Sequence, residues 1–387
     1  MSRFFSYINT AKAILSGYVG DRPFALYLKE FFKQHKKYGS ADRKQIAHVC
    51  YCYFRLGKAG KNIETDQRIL TALFLCSTNP NKTLAAIAPQ LNDSVQLTLE
   101  EKLKIIEFPL GAEDIFPWKN ELSAGIDHTS FALSHLIQPD LFLRIRPGFE
   151  GLVEKKLATA NIIFKQVNVN CLSLDNASKI DEVIELDKEA VVQDLSSQRV
   201  GELVQFDVNN QPNKIWDCCA ASGGKSILMH DLFPAAKLTV SDIRKSILIN
   251  LSKRFQQAGI TKYRSIVADL TNVKLPITNS SFDIIVCDAP CTGSGTWSRT
   301  PEQLYFFDKQ KIDYYSNLQQ KISRAASRYL KPGGYFLYIT CSVFKKENEE
   351  VIKILQKEAG LKLVKMELLK GYDKKADTLF AALLQKQ

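Results

Sequence analysis

Short apolar runs alternate with amphipathic stretches through the carboxyl-terminal half of the chain. From about residue 214 onward, runs such as 283–287 and 335–339 are almost continuously apolar, which is typical of strands buried on both faces of a parallel sheet. The stretches between such runs, among them 225–233 and about 307–329, have the length and spacing of helices. This alternation predicts an α/β fold with a doubly wound, mostly parallel sheet.

Two other patterns precede this half and predict two further domains. Residues 1–125 repeat apolar positions at helical spacing, so we expect an amino-terminal helical domain there. Residues 139–207 alternate short strands with one helix and predict a small α+β unit, which leaves residues 208–387 for the α/β domain. The strands predicted in the α+β unit are 141–146, 164–169 and 182–186, and its helix is 149–161.

Composition and charge limit the class of protein. The chain has 387 residues, 45% of them hydrophobic, and a formal net charge of +11. That charge favours a polyanionic partner, although a merely basic soluble enzyme fits it equally well. Lys12 interrupts the only early apolar stretch, and no run approaches the roughly 20 residues of a membrane span. We therefore expect a cytoplasmic protein without a membrane partner, and we expect a monomer.

Nine cysteines and five histidines raise the question of a metal site. Without an export signal, so many cysteines are typical of reduced thiols in a cytoplasm. Cys50 and Cys52 flank one residue, Cys218 and Cys219 are adjacent, and no histidine completes a zinc spacing with them. The sequence therefore predicts no metal.

A glycine-containing turn follows the first strand of the predicted sheet. Gly223 and Gly224 allow close approach of a ligand, and the helix that follows presents free amides. The letters Gly-Lys-Ser also end a nucleoside-triphosphate loop, but that loop needs a glycine where Cys219 stands. The dinucleotide fingerprint is absent as well. We therefore expect this turn to bind a ligand through neither a triphosphate loop nor a dinucleotide fingerprint.

Two aspartates follow the next two strands. Asp242 is placed to accept hydrogen bonds from a ribose diol, and Asp269 lies where an adenine amine would be. Carboxylates repel phosphates, so the pair suits a nucleoside without phosphates, and S-adenosylmethionine is such a ligand. A single aspartate after a strand is often only a turn residue, but two after a glycine turn favour cofactor binding.

Two cysteines lie at the ends of two further strands. Cys291 follows the run 283–287 and Cys341 follows the run 335–339, so both should emerge at the carboxyl edge of the sheet. Two thiols over one crevice indicate covalent chemistry on an electrophilic carbon. Taken alone, Cys341 would more simply be a buried thiol at a strand end.

Several motifs, taken together, resemble those of one enzyme family. Their order and spacing over about residues 140–387 are similar to those of the Sun/Fmu-type RNA cytosine-C5 methyltransferases, and the residues before them resemble the NusB-like helical domain of its bacterial ribosomal RNA members. The chain departs from the family at Ser222, at Ser298 and at 378–380. The motifs are 193–198, 219–226, 288–295, 299–302, 331–334, 340–342 and 347–349.

The resemblance implies roles for individual residues. Cys341 would be the nucleophile that adds to cytosine C6, Cys291 would assist resolution of the adduct, and Asp288 would hold the N3 and amine edge of the base. DNA enzymes use only the Pro-Cys cysteine, so the presence of both cysteines favours RNA. The residues expected to bind the cofactor are Cys219, Ala220, Ala221, Ser222, Gly223, Gly224, Lys225, Asp242, Asp269 and Asp288.

Lys225 is also expected to favour the thiolate at the catalytic site. Arg144, Arg146 and Arg299 are candidate contacts to RNA phosphates, the first two on one strand face. The predicted activity is S-adenosylmethionine-dependent methylation of cytosine C5 in RNA, with small-subunit ribosomal RNA as first candidate. The alternatives are a transfer RNA methyltransferase, an idle RNA-binding assembly factor and, third, a small-molecule methyltransferase.

Overall fold

The computed structural model describes residues 3–106, 108, 110–204, 211–272 and 279–387. The chain forms two compact units. The first comprises Met1–Asn120, Asp127–Gln138 and Thr296–Asp308, and the second comprises Glu121–Ile126, Pro139–Gly295 and Lys309–Gln387. The predicted boundary at residues 207 and 208 lies outside the described residues, and the three-domain division stays a prediction.

The elements of both units are numbered along the chain. The helices are α1 (Arg3–Gly17), α2 (Phe24–Gln34), α3 (Ser40–Arg55), α4 (Thr65–Cys76), α5 (Lys82–Ile87), α6 (Pro89–Asp93), α7 (Leu99–Ile105), α8 (Ala112–Ile115), α9 (His128–Ser134), α10 (Glu150–Thr159), α11 (Leu195–Arg199), α12 (Gly224–Leu232), α13 (Lys245–Gln257), α14 (Pro301–Phe306), α15 (Gln310–Ser327) and α16 (Glu349–Glu358). The strands are β1 (Leu141–Ile145), β2 (Phe164–Asn168), β3 (Cys171–Leu174), β4 (Ala190–Val192), β5 (Lys214–Asp217), β6 (Lys237–Asp242), β7 (Tyr263–Val267), β8 (Phe282–Asp288), β9 (Leu330–Thr340), β10 (Leu361–Leu369) and β11 (Leu379–Lys386).

The first unit is helical, as its sequence pattern predicts. Helices α1 to α9 and α14 belong to it. In α3 the apolar positions Ile46, Val49 and Cys50 are all buried, which is the face that the helical spacing indicated.

A seven-stranded sheet organises the second unit. Its strand order is β10-β11-β9-β8-β5-β6-β7, and the five strands from β9 to β7 are parallel. The predicted doubly wound, mostly parallel sheet is therefore confirmed. Strands β10 and β11 extend it antiparallel, and the sequence analysis did not anticipate them.

Helices cover both faces of this sheet. Alternate strand residues point to opposite faces, so Ile284 and Val286 pack on one side with Leu251 and Phe255 of α13. Ile285 and Cys287 pack on the other side, where α15 and α16 supply residues such as Leu355. The sheet is thus buried on both faces, which explains its continuous apolar runs.

A four-stranded antiparallel sheet of order β2-β3-β1-β4 forms the small α+β part. The strand predicted at 182–186 is wrong. Ile180–Glu182 forms a short 3₁₀ helix instead, and Ile180 and Ile184, four residues apart, are buried together in the core of this sheet. The chain re-enters the sheet at β4, because the backbone of Asp187 turns through a positive φ of 66°.

Two predicted boundaries also shift. The long helix expected from about residue 307 begins at Gln310. The turn expected at 331–334 interrupts the pairing of β8 with β9, whose register jumps from Phe282↔Leu330 to Ile284↔Tyr335. No helix among the described residues is long and apolar enough to cross a membrane.

Candidate active site

The structure brings the two predicted cysteines together at the carboxyl edge of the sheet. Strands β8 and β9 are adjacent and end level with each other, at Asp288 and Ile339 in the pairing. The loops that follow place the Sγ atoms of Cys291 and Cys341 at 3.2 Å, and neither cysteine forms a disulfide. Both side chains are half-buried. This is contact distance between sulfurs without a covalent bond.

The surroundings of Cys291 favour its protonated form. A hydrogen bond with Cys341 and burial raise the pKa of Cys291 well above its ordinary value. Cys291 therefore keeps its proton to a higher pH than an ordinary cysteine does. A thiolate is the nucleophilic form of cysteine, so the raised pKa disfavours Cys291 as the attacking sulfur.

Asp288 and Lys225 meet beside this pair of strands. Lys225 lies in the first turn of α12, and its Nζ is 3.1 Å from Oδ2 of Asp288. Its side chain is 10% exposed and that of Asp288 is 33%, so solvent and ligands reach the carboxylate more easily. Lys225 was expected to favour a thiolate, and the contact observed here is instead with Asp288. That ion pair fixes the direction in which the carboxylate points.

The glycine turn between β5 and α12 has the shape of a ligand-binding loop. Gly223 has a φ of +89°, which favours glycine, and Ala221 has a φ of +45°. A Cβ added to Gly224 would meet nothing within 4 Å, so the first residue of α12 borders open space. A helix start next to open space suits a bound ligand.

Ser222, one of the positions at which the chain departs from the family pattern, is held in this loop by hydrogen bonds. Nη1 of Arg254 donates to the carbonyl oxygen of Ser222 at 3.0 Å and to its Oγ at 3.2 Å. Arg254 is in turn paired with Asp187 at 2.6 Å. The departure from the family is therefore accompanied by hydrogen bonds that hold the loop.

The two predicted cofactor aspartates have different surroundings. Asp242, at the end of β6, is buried and accepts from the amides of Ala221 and Arg244, so it braces the glycine loop. Asp269 accepts from both the amide and the hydroxyl of Thr271, which lowers the pKa of Asp269. Asp269 thus makes the turn contacts that are common for an aspartate after a strand.

Asp217, at the end of β5, is a buried acid that the sequence analysis did not single out. Its Oδ2 accepts from Oγ of Ser226 at 2.6 Å. Burial raises the pKa of Asp217 to about 7. The carboxyl group is therefore held in its protonated form over a wider pH range in the fold than in the unfolded chain.

Asp217→Asn is expected to remove a pH dependence of stability. Between about pH 4 and pH 7 the unfolded chain loses this proton while the folded chain keeps it, so the free energy of unfolding falls by up to about 1.4 kcal/mol per pH unit. The stability advantage of the native chain over the variant should shrink over that window and stay level above it. Urea denaturation of both proteins at several pH values measures this, and an advantage independent of pH contradicts the assignment.

The predicted RNA contacts already have partners within the fold. Arg144 and Arg146 share one buried acid, with distances of 2.6 and 2.7 Å to the carboxylate of Asp231 in α12. Their side chains are 7% and 11% exposed, so the fold already uses both charges. Arg299 belongs to the first unit, where its amide bonds the carbonyl oxygen of Thr296. RNA binding by these three residues stays a prediction.

A second group of thiols lies near the carboxyl ends of β5 and β8. The sulfurs of Cys218, Cys219 and Cys287 are all within 4.8 Å of one another. The absence of metal was predicted from spacings along the chain, and the fold adds Cys287 from β8 to the adjacent pair. Cys219 was expected to bind the cofactor. Its thiol belongs to this group and packs against the hydrophobic core that includes Trp216 and Cys287.

Strand order, glycine turn and strand-end carboxylates together define the Rossmann-like fold of S-adenosylmethionine-dependent methyltransferases. Residues 204–382 match the family described as 16S rRNA methyltransferase RsmB/F. The matched stretch is less than half of the chain, and the likeness agrees with the one that the motif series indicated.

Curated relatives match less than half of the chain. Ribosomal RNA small subunit methyltransferase B of Xylella fastidiosa (strain 9a5c) is 33% identical over 162 residues, which cover 42% of this chain and 37% of that protein. The human tRNA (cytosine(72)-C(5))-methyltransferase NSUN6 is 34% identical over 163 residues, 39% of this chain and 34% of that protein. The chain thus matches less than half of the length of either relative.

Solved structures share the fold. The crystal structure of PH0851 aligns with a TM-score of 0.72 at 20% identity and covers 100% of this chain and 99% of its own. The structure of NSun6 from Pyrococcus horikoshii with SFG aligns with a TM-score of 0.58 at 14% identity, covering 71% of this chain and 96% of its own.

Proposed function

We propose that this protein transfers a methyl group from S-adenosylmethionine to C5 of a cytosine in RNA, with small-subunit ribosomal RNA as its substrate. The observation that carries the proposal is the pair of sulfurs of Cys291 and Cys341, 3.2 Å apart. The match of residues 204–382 to the RsmB/F family supports the ribosomal substrate.

The two thiols fit a covalent mechanism on cytosine. C5 of cytosine is a weak nucleophile, and addition of the Cys341 thiolate to C6 makes the ring an enamine that is nucleophilic at C5. While Cys341 is a thiolate, its hydrogen bond keeps the proton on Cys291. Once the sulfur of Cys341 is bonded to carbon, that cause disappears and the pKa of Cys291 falls. Cys291 can then release its proton to solvent and, as a thiolate, take the proton from C5. The electrons of that C–H bond restore the C5–C6 double bond, and the bond from Cys341 to C6 breaks, which returns the Cys341 thiolate.

Asp288 is proposed to hold the base during this addition. Its carboxylate lies at the end of β8, oriented by Lys225 and partly exposed. A carboxyl group there can hydrogen-bond N3 and the amine of cytosine and stabilise a protonated N3 as charge develops in the ring. The base must leave its stack to reach Cys341, so we expect single-stranded or loop RNA as the substrate.

The glycine turn and the strand-end carboxylates fit S-adenosylmethionine. We propose that the segment 219–225 binds it with Asp242, Asp269 and Asp288, because the helix start borders open space and the acids suit a nucleoside without phosphates. When bound, this cofactor supplies an electrophilic methyl group. Within the loop, Asp242 braces the backbone through the Ala221 amide.

RNA contacts and cellular setting complete the proposal. Arg144, Arg146 and Arg299 remain the proposed phosphate contacts, and the net charge of +11 supports a polyanionic partner. We propose a cytoplasmic monomer with an amino-terminal helical domain in residues 1–125 and a small α+β unit in 139–207. Transfer RNA is the second candidate substrate, because the human relative named as a tRNA methyltransferase is 34% identical over its matched stretch.

Methylation of unmodified RNA tests the proposal. The purified chain, labelled S-adenosylmethionine and separate transcripts of small-subunit ribosomal RNA and of transfer RNA should yield 5-methylcytidine in the ribosomal transcript. Label in transfer RNA alone would select the second candidate. RNA binding without any methyl transfer would contradict the enzymatic proposal and favour an assembly factor.

A further inference from the structure

One buried carboxylate lies behind the two thiols. Glu347 has no solvent exposure, and it precedes α16 in a motif to which the sequence analysis gave no role. Four donors converge on its two oxygens. They are the amide of Thr292 at 2.9 Å, Oγ1 of Thr292 at 2.6 Å, Oγ of Ser342 at 2.6 Å and Nε2 of Gln319 at 2.9 Å.

These donors come from both cysteine loops. Thr292 directly follows Cys291, and Ser342 directly follows Cys341. One side chain therefore bonds the neighbour of each thiol. Nε2 of Gln319, on α15, also donates to the carbonyl oxygen of Pro290 at 3.0 Å, so the first loop is held on both sides of its cysteine.

Further hydrogen bonds join the two loops through the same cluster. Oγ of Ser294 lies 3.2 Å from Oγ of Ser342 and accepts from the amide of Val343 at 2.9 Å. The amide of Gly295 donates to the carbonyl oxygen of Cys341 at 2.8 Å. The separation of the sulfurs is thus set by a connected network with Glu347 at its centre.

Four converging donors fit an ionised carboxylate, which only accepts. Burial raises the pKa of Glu347, and the hydrogen bonds from Ser342 and Thr292 act against that rise. After the hydrogen bond with Cys341 and burial, the charge of Glu347 also raises the pKa of Cys291. Glu347 therefore acts on the two cysteines in two ways: its hydrogen bonds hold their loops, and its charge raises the pKa of Cys291.

Glu349, two residues further on, serves as a comparison within the same motif. Its oxygens accept from Oγ of Ser123 and from the amide of Ala124, at 2.9 and 3.0 Å. Neither partner belongs to a cysteine loop. The two acids thus have similar chemistry and different partners.

We propose that Glu347 is the positioning residue of the thiol pair: its buried carboxylate joins the loops that carry Cys291 and Cys341 and holds the two sulfurs at reacting distance. Glu347 touches no substrate in this role and acts through Thr292 and Ser342. The role of Glu347 in catalysis rests on the proposed function. Its role in setting the distance between the two sulfurs does not depend on that function.

A bifunctional thiol reagent of short span tests the geometry without any activity. Dibromobimane should join Cys291 to Cys341 in the native protein, with the cross-linked peptides identified by mass spectrometry so that the group at Cys218 is counted separately. In Glu347→Gln the amide nitrogen is itself a donor and faces the donors of Thr292 and Ser342, so we expect the two cysteine loops to separate. The yield of the Cys291–Cys341 cross-link should then fall about tenfold, because a shift of about 1 Å strongly slows a reaction between positioned groups. Glu349→Gln is the matched control and should cross-link like the native protein.

A kinetic readout separates positioning from general stability. In Glu347→Gln, kcat for RNA methylation should fall about 100-fold while KM for RNA and the affinity for S-adenosylmethionine stay unchanged. Native cross-linking in Glu347→Gln overturns the proposal. The native protein could also fail to methylate RNA while Glu347→Gln still shows reduced cross-linking. That result supports the positioning role and contradicts only the proposed function.

A second variant covers the case in which Glu347→Gln does not fold. Thr292→Val with Ser342→Ala keeps the carboxylate and removes the hydroxyl donors of both loops. The same loss of the Cys291–Cys341 cross-link is expected there. A native yield in this variant contradicts the proposal.

Discussion

Replacing Cys341 with alanine is expected to lower methyl transfer to RNA by about 10³-fold or more, because the variant has no nucleophile to activate C5. The alanine directly follows β9, where the half-buried thiol contacts that of Cys291, so the fold should persist. Incorporation of labelled methyl into RNA measures the loss. Binding of S-adenosylmethionine by calorimetry should be unchanged.

Cys291→Ala should behave differently from Cys341→Ala although the two sulfurs lie 3.2 Å apart. In this variant Cys341 can still add to the cytosine ring. The thiolate that removes the C5 proton is missing, so a covalent complex with ordinary RNA should accumulate and be visible on denaturing gels. Cys76→Ala, at another half-buried thiol, is the control and should retain full activity. Equal activity losses without any accumulated complex would contradict the division of roles.

Asp231→Ala is expected to destabilise the fold by about 3–5 kcal/mol, the usual cost of removing the opposite charge from buried charged groups. Asp231 is 6% exposed and pairs with both Arg144 and Arg146. Burial already lowers the pKa of Arg144, and Asp231 counters that effect. Without Asp231, two guanidinium groups would remain buried between β1 and α12.

Urea denaturation at neutral pH measures this loss. Asp313→Ala is a suitable control, because its pair with Lys346 is exposed, with side chains 64% and 40% accessible. Exposed pairs contribute about 0–1 kcal/mol, so the control should be close to native. A change below about 1 kcal/mol for Asp231→Ala would show that the hydrogen bonds of the two arginines to Gln193, Asp187 and Ala258 suffice without Asp231.

The central fold was predictable because each signal was local. Continuous apolar runs marked the parallel strands, and Asp288 and Cys341 follow directly from the ends of two of them. Strands β10 and β11 were missed because they pair antiparallel at the sheet edge, where β10 is mostly accessible and lacks a continuous apolar run. The segment at 182–186 was misassigned because Ile180 and Ile184 are spaced for a helical turn.

The sequence predicted the two cysteines of the site, but not the residues that hold their loops in place. Spacing along the chain cannot show that Glu347 reaches both cysteine loops, because Thr292 lies 55 residues away in sequence. The hydroxyl residues beside each cysteine, Thr292 and Ser342, were the available signal. Likewise, alternation in β1 suggested exposed arginines, whereas Asp231 of α12 covers Arg144 and Arg146.

The most direct measurement is to trap the protein on RNA containing 5-fluorocytosine, with S-adenosylmethionine present, and to identify the cross-linked peptide by mass spectrometry. Fluorine at C5 cannot leave as a proton does, so the bond between enzyme and C6 should persist. We expect the nucleotide on the sulfur of Cys341, with no complex in Cys341→Ala. A nucleotide attached to Cys291, or an undiminished complex in Cys341→Ala, would contradict the account.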